Sequence, residues 1–234
     1  MKTSERVAGL AGAAALVCVL VLAIGWAAPA AAPGKIDMKA LIHETQKMTT
    51  DGGVMTLVWW MPEDFWRASA LQAPGASDAQ AEEFAKVVRP YTLLMVMDAT
   101  IGPLAGMTYR PEAEIRASIR IVDSDGTAIP PLPDEQVGPD VRNLMAMMRP
   151  VLSNMLGPMG QNVHFYIFPA NNAKGAAICD ARKEGSFAVK LDVREFKWRL
   201  PLGAVLPPKI CPKCGDKCSG AWKFCPYDGT ALPK

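Results

Sequence analysis

The chemistry in this 234-residue chain concentrates in its cysteines. There are six, and four fall near the C-terminus as Cys211-Pro212-Lys213-Cys214-Gly215, then Cys218, then Cys225-Pro226-Tyr227-Asp228-Gly229. The two ends of this stretch form a pseudo-repeat, Cys-Pro-x-Cys-Gly and Cys-Pro-x-Asp-Gly, with ten residues between Cys214 and Cys225. Thiols crowded in this way either pair as disulfides in an oxidising compartment or ligate a metal as thiolates. The remaining two stand apart. Cys18 fills an apolar run near the N-terminus, and Cys179, in an apolar segment, reads as a small buried hydrophobe rather than a reactive thiol.

The stretch from 211 to 229 resembles a bacterial zinc ribbon, in which two such knuckles clamp one zinc ion. Two residues between sulfurs let the chain turn until both thiolates face one point, and the glycine that follows takes the positive φ of the turn. The resemblance implies a structural zinc held by Cys211, Cys214 and Cys225. It departs from the usual pattern at the fourth position, where Asp228 stands, and it adds Cys218 on the intervening hairpin. Sulfur is the preferred ligand of a closed structural site, so Cys218 is favoured as the fourth ligand. Asp228 is the alternative, although Asp-Gly also suits a plain turn. A module this small needs a staple, and disulfides among the four cysteines compete with zinc for that role. The resemblance covers about the last tenth of the chain and does not extend into the body.

Other reactive residue types are sparse. His43-Glu44 opens like a metalloprotease helix, but Lys47 occupies the place of the second histidine. His164 alternates with Tyr166 and Phe168 on one strand face and reads as a satisfied structural histidine. Asp98, at a strand end, and Asp123 are the only carboxylates that suggest a catalytic site. Asp123-Ser124-Asp125-Gly126 reads as a turn, because a calcium loop needs more ligands at fixed offsets. Trp59, Trp60, Phe65 and Trp66 form a tight aromatic group, read first as core and second as a ligand pocket or membrane contact. Met145, Met147, Met148, Met155 and Met159 are read as gap-filling core, with thioether ligation of copper(I) as the alternative. No phosphate loop, dinucleotide fingerprint or serine-hydrolase motif is present.

Composition narrows the class. Half of the residues are hydrophobic and 21 % are charged, enough for a packed core, while 20 Pro and 19 Gly argue against a pure helical bundle. The net charge of +2 excludes a strongly basic nucleic-acid binder. Residues 209–234 hold five Lys against two Asp, whereas residues 31–208 carry a slight acidic excess. The tail is therefore a separate electrostatic unit, too weakly basic for nucleic acid.

Residues 1–32 read as a signal peptide or N-terminal membrane anchor: Lys2 and Arg6 precede an uncharged run from Val7 to Ala28. A cut after Ala30 places Ala28 and Ala30 at the small-residue positions, and a cut after Ala32 is disfavoured by Pro33. Val17 before Cys18 is too large for a lipoprotein cut. The run is also long enough to span a bilayer uncleaved. Either outcome places the body outside the cytoplasm, with Lys35 and Lys39 weakening the positive-inside bias.

Around these residues the pattern predicts an α+β domain over 33–208, with a mostly antiparallel sheet and three or four helices, followed by the module at 209–234. A helix is expected from Ile36 to Met48, capped by Asp37 and stopped by Asp51-Gly52-Gly53. Helices follow from Pro62 to Leu71, from Ser77 to before Pro90, and from Pro139 to Leu156. The last should bury Leu144, Met148, Val151, Leu152 and Met155 and kink at Pro150. Strands are expected at 54–60, 91–97 (apolar on both faces, hence central), 104–109, 115–122, 163–168, 175–179, 187–193 and 196–200.

The sequence thus predicts an extracytoplasmic, non-catalytic protein with a structural zinc-ribbon-like interaction module, whose partner would be another protein. The alternatives are a small-molecule or copper binder of the cell envelope, and an enzyme using Asp98 or Asp123.

Overall fold

The computed structural model describes residues 36–103 and 106–233, which form one compact α+β unit. The expected targeting segment, residues 1–32 with Cys18, lies outside the described residues, as does the side chain of Met155. No helix among the described residues is long and apolar enough to cross a membrane.

The elements run α1 Met38–Thr45, β1 Gln46–Asp51, β2 Val54–Met61, α2 Glu63–Ala70, α3 Asp78–Val88 and β3 Tyr91–Ile101. Then come β4 Met107–Tyr109, α4 Glu112–Ser118, β5 Ile119–Val122, β6 Ala128–Ile129, α5 Pro139–Leu156, α6 Pro158–Gln161 and β7 His164–Pro169. The chain closes with β8 Gly185–Leu191, β9 Arg194–Leu200, β10 Lys209–Ile210 and β11 Lys217–Cys218. All strand pairs are antiparallel, and they make three sheets rather than the one expected. β3 is central to the first: β2 pairs along one edge, and β7 and β4 share the other. The second sheet runs β6-β5-β8-β9, and β10-β11 is a separate ribbon.

Local signals explain much of this. Asp37 accepts hydrogen bonds from Lys39 N and Ala40 N and starts α1. Ser77 and Gln80 form a reciprocal capping box on α3. Pro139 opens α5, which runs on through Pro150 and ends at Gly157.

The differences have local causes too. The helix expected to reach Met48 ends at Thr45, whose hydroxyl turns back to donate to Leu41 O at 2.8 Å and accepts from Trp59 Nε1. Gln46–Asp51 instead pairs with β2. Gly52 and Gly53, both at positive φ, are the two-residue turn of that hairpin rather than a helix stop. The expected strand over 115–122 is half helix: Pro111 and the acids Glu112 and Glu114 start α4, and only Ile119–Val122 is extended. Residues 175–179 form no strand, only a single bridge from Ala177 to Asn171 across a turn. Asn172 Oδ1 accepts from Lys174 N and Ala176 N, and Gly175 takes positive φ. β8 stops at Leu191 because Asp192 turns at positive φ.

The two large sheets meet through an apolar core. Trp60 of β2 meets Phe187 of β8 edge-on at 4.8 Å, and Phe187 stacks on Trp198 of β9 at 5.0 Å. Trp59, Phe65 and Trp66 are also buried, so the aromatic group is part of the core. A buried ion cluster makes a second link. Asp98 of β3 accepts two hydrogen bonds from Arg194 of β9, at 2.5 and 2.9 Å, one from Thr56 at 2.6 Å and one from Arg110 at 3.4 Å. On α5, Leu144 and Leu152 are buried and Met148 half-buried, but Val151 is exposed.

Candidate metal centre

The sequence pseudo-repeat is also a repeat in hydrogen bonding. In the first knuckle Gly215 N donates to Cys211 O at 3.0 Å and Cys211 N to Asp216 O at 2.9 Å. In the second, Gly229 N donates to Cys225 O at 3.0 Å and Cys225 N to Thr230 O at 2.8 Å. Gly215 and Gly229 sit at φ +77° and +70°, a region closed to most side chains. Each knuckle thus presents its first and fourth residues to one point.

The four residues so presented are Cys211, Cys214, Cys225 and Asp228, with one ligand atom of each within 4.8 Å of all the others. Cys214 Sγ lies 3.7 Å from Cys225 Sγ, and Cys211 Sγ lies 3.5 Å from an Asp228 carboxylate oxygen. A tetrahedron with metal–sulfur bonds of about 2.3 Å has sulfur–sulfur edges of about 3.8 Å, and a shorter metal–oxygen bond brings the mixed edge to about 3.5 Å. The donor chemistry and the spacing therefore fit a metal ion. The described cysteines are all free thiols, and 3.7 Å is far from the roughly 2.05 Å of a disulfide bond.

Cys218 does not stand in this group. It is buried on β11, beyond the first knuckle, with its sulfur 3.7 Å from Asp216 O, and it packs in a small apolar cluster with Cys211, Cys225 and Leu232. Asp228 converges with the three cysteines because it is to Cys225 what Cys214 is to Cys211. That equivalence was visible in the pseudo-repeat; the general preference for sulfur pointed the other way.

The electrostatics favour a cation. Amide hydrogen bonds from Cys214 and Lys213 hold the Cys211 thiol below its usual range, and the Thr230 amide does the same for the Asp228 carboxyl. The Asp216 amide favours the Cys214 thiolate, but burial and hydrogen bonds with the Asp216 side chain, Cys211 and Cys225 push it up instead. Negative charges packed this closely oppose one another until a divalent ion lies between them. Lys223, beside the second knuckle in sequence, pairs with Glu184 of the body at 3.0 Å.

The module is seated on the body. A Cβ on Gly220 would meet Pro207 O at 2.4 Å, and one on Gly203 would meet Ser219 Oγ at 2.0 Å. The segment below it is tied to α1 by Ala204 N, which donates to the Glu44 carboxylate at 3.0 Å.

The other candidate residues fall elsewhere. Burial pushes the Asp98 carboxyl up, but hydrogen bonds from Arg194, Thr56 and Arg110 outweigh it and hold it below the usual range, as befits an ion-pair anchor. Asp123 accepts from Asp125 N, Thr127 N and Asn172 Nδ2, which makes it a turn cap. Cys179 is half-buried against the core, and burial raises its thiol well above the usual range. His164 is not satisfied: its buried Nδ1 has no hydrogen-bond partner and lies 3.6 Å from Glu112. On α5, Met145 is buried and Met147 exposed, so these two thioethers do not face a common point. Neither protein-family models, nor curated proteins, nor solved structures yield a match to this chain, and the arrangement of its own residues is what speaks to its function.

Proposed function

We propose that residues 209–234 are a zinc-held, non-catalytic interaction module on an α+β body that acts outside the cytoplasm. The observation that carries the metal reading is the convergence of three sulfurs and one carboxylate within 4.8 Å. Zinc suits a mostly sulfur, tetrahedral donor set, and Cys211, Cys214, Cys225 and Asp228 would be its ligands, with Cys218 as core. The interaction role is supported by exposure: among the described residues the exposed aromatic rings are Trp222, Phe224 and Tyr227, all in the tail. The extracytoplasmic placement rests on the apolar run of residues 7–28.

Metal analysis of purified protein tests this. One zinc per chain is expected, lost in Cys225→Ser, strongly weakened in Asp228→Asn and nearly unchanged in Cys218→Ser. Protein without zinc, its tail cysteines resistant to alkylation until reduced, would overturn the reading in favour of disulfides.

A second reading, binding of a small apolar molecule, has its own observation. Phe65 and Trp66 of α2, Phe84 of α3, and Leu144 and Met148 of α5 line one cavity of about 520 Å³ with no charged residue in its wall. Saturable enhancement of N-phenyl-1-naphthylamine fluorescence, reduced in Phe84→Ala, would support it; no enhancement would end it.

A further inference from the structure

The opposite side of α5 lines a different cavity. It lies between α4, α5 and β7, has a volume of about 350 Å³, and carries Arg116, Arg142 and Arg149 in its wall. We propose that this cavity binds a small organic monoanion with an apolar body, of the alkyl- or aryl-carboxylate class.

The charge count comes first. Three guanidinium groups face two carboxylates, Glu112 and Asp134, leaving one positive charge unbalanced. The two acids are engaged mainly by Arg116, whose Nη2 lies 3.6 Å from each. Arg142 makes no ion pair among the described residues and donates only to the carbonyl of Asp134, at 3.1 Å. Arg149 reaches no nearer than 4.0 Å to Glu112, beyond hydrogen-bond range. Both therefore keep donors free for a carboxylate, which guanidinium groups bind through paired hydrogen bonds.

Arg116 is held in position. It donates to Leu132 O at 3.3 Å, and its guanidinium lies 5.5 Å from the centre of the Tyr166 ring. A fixed guanidinium loses little freedom when a ligand arrives. His164 stands beside the Glu112 edge, and burial lowers its pKa, so at neutral pH it adds no charge to this count.

The floor sets the rest of the ligand. Arg142 and Arg149 are seven residues apart on α5, two helical turns, and the positions between them that share their face are Met145 and Ala146. Phe165 and Ile167 from β7 complete an apolar floor. An inorganic anion would leave that floor uncovered, and a neutral apolar molecule would leave the guanidinium groups without an acceptor. The volume is at the small end of ligand cavities, which suits a compact amphipathic acid.

Titration calorimetry of the full chain with octanoate, octanol and sulfate as probes tests this. Octanoate should bind saturably, and each of the other two about tenfold or more weakly, because each supplies only half of the match. Arg142→Gln/Arg149→Gln should weaken octanoate about tenfold while circular dichroism stays unchanged, since both side chains are exposed. Phe84→Ala, in the other cavity, should leave octanoate binding intact. Octanol binding as tightly as octanoate, octanoate affinity indifferent to the two arginines, or loss of binding in Phe84→Ala would overturn the assignment, as would no saturable binding.

Discussion

In the body, Trp60, Phe187 and Trp198 pack against one another at the join of two sheets, all nearly inaccessible to water, and Asp98 is buried beneath two partly exposed arginines. In the tail, the buried side chains are those of Cys211, Cys218, Cys225 and Leu232, while Trp222, Phe224 and Tyr227 face solvent at 46 %, 62 % and 75 % exposure. The body has area enough for apolar burial to carry its stability. The tail does not, and its two knuckles, near-identical in hydrogen bonding, share only a four-residue apolar cluster beside the point where their ligand atoms converge. One region is organised around a core and the other around a cluster of ligand atoms that could hold an ion. The seam between them is tight nonetheless, with Gly203 and Gly220 allowing backbone to approach where a methyl group would collide.

The sharpest test of that contrast is removal of the metal. A strong chelator, or Cys225→Ser, should unfold residues 209–234 while the body keeps its cooperative transition, as followed by amide exchange in both regions. Concerted loss of both would mean that the seam makes them one folding unit. Asp98→Ala comes next: Arg194 loses its buried acceptor and only Asp192, shared with Arg110, remains to pair it, so the body should lose about 3 kcal/mol by denaturant titration, with metal content unchanged. A loss under about 1 kcal/mol would show that the sheets are joined by apolar contact alone.

Leu152→Ala on α5 should cost the body about 2–5 kcal/mol and the tail nothing. Gly220→Ala acts at the seam. It should cost about 1–3 kcal/mol by overpacking and raise amide exchange in the tail first. An effect confined to the body would mean that the seam belongs to the body's core.

The smallest expected effect is a pH dependence at His164. Burial, aided by Arg149 and opposed by Glu112, lowers its pKa from 6.5. The unfolded chain therefore takes up a proton that the folded chain resists. Stability should be undiminished above about pH 6.5 and fall as the pH drops through that value towards the folded pKa. His164→Phe should flatten the slope, and an unchanged slope would assign it to other groups.

Much that depended on neighbours within one turn or one repeat was legible in the sequence. The Asp37 cap, the Ser77–Gln80 box, the bounds of α5 and the central position of β3 all follow from local spacing and apolar pattern. So does the knuckle pair, because each knuckle closes by a hydrogen bond between residues four apart. Legibility failed where a short segment suited two local structures, and either a distant partner or a signal just ahead of it decided. Gln46–Asp51 continues an acceptable helical pattern, but β2 offers it a full set of antiparallel hydrogen bonds across the Gly52-Gly53 turn. Residues 115–118 alternate like a strand, yet the proline and acids ahead of them start a helix.

The chemistry divides in the same way. The residue types of the tail, their spacing and their doubling are properties of the sequence, and they indicated that Cys211, Cys214 and Cys225 would meet. Which of Cys218 and Asp228 joins them was decided by the tertiary structure, since only the knuckle positions converge and β11 turns the Cys218 sulfur into the small core. Asp98 looked like a candidate acid because its partner Arg194 is 96 residues away, and no local pattern can announce a pairing made by the packing of two sheets. The arginines around α5 are likewise ordinary surface residues in the sequence. They become a candidate anion site only because β7 places an apolar floor beneath them.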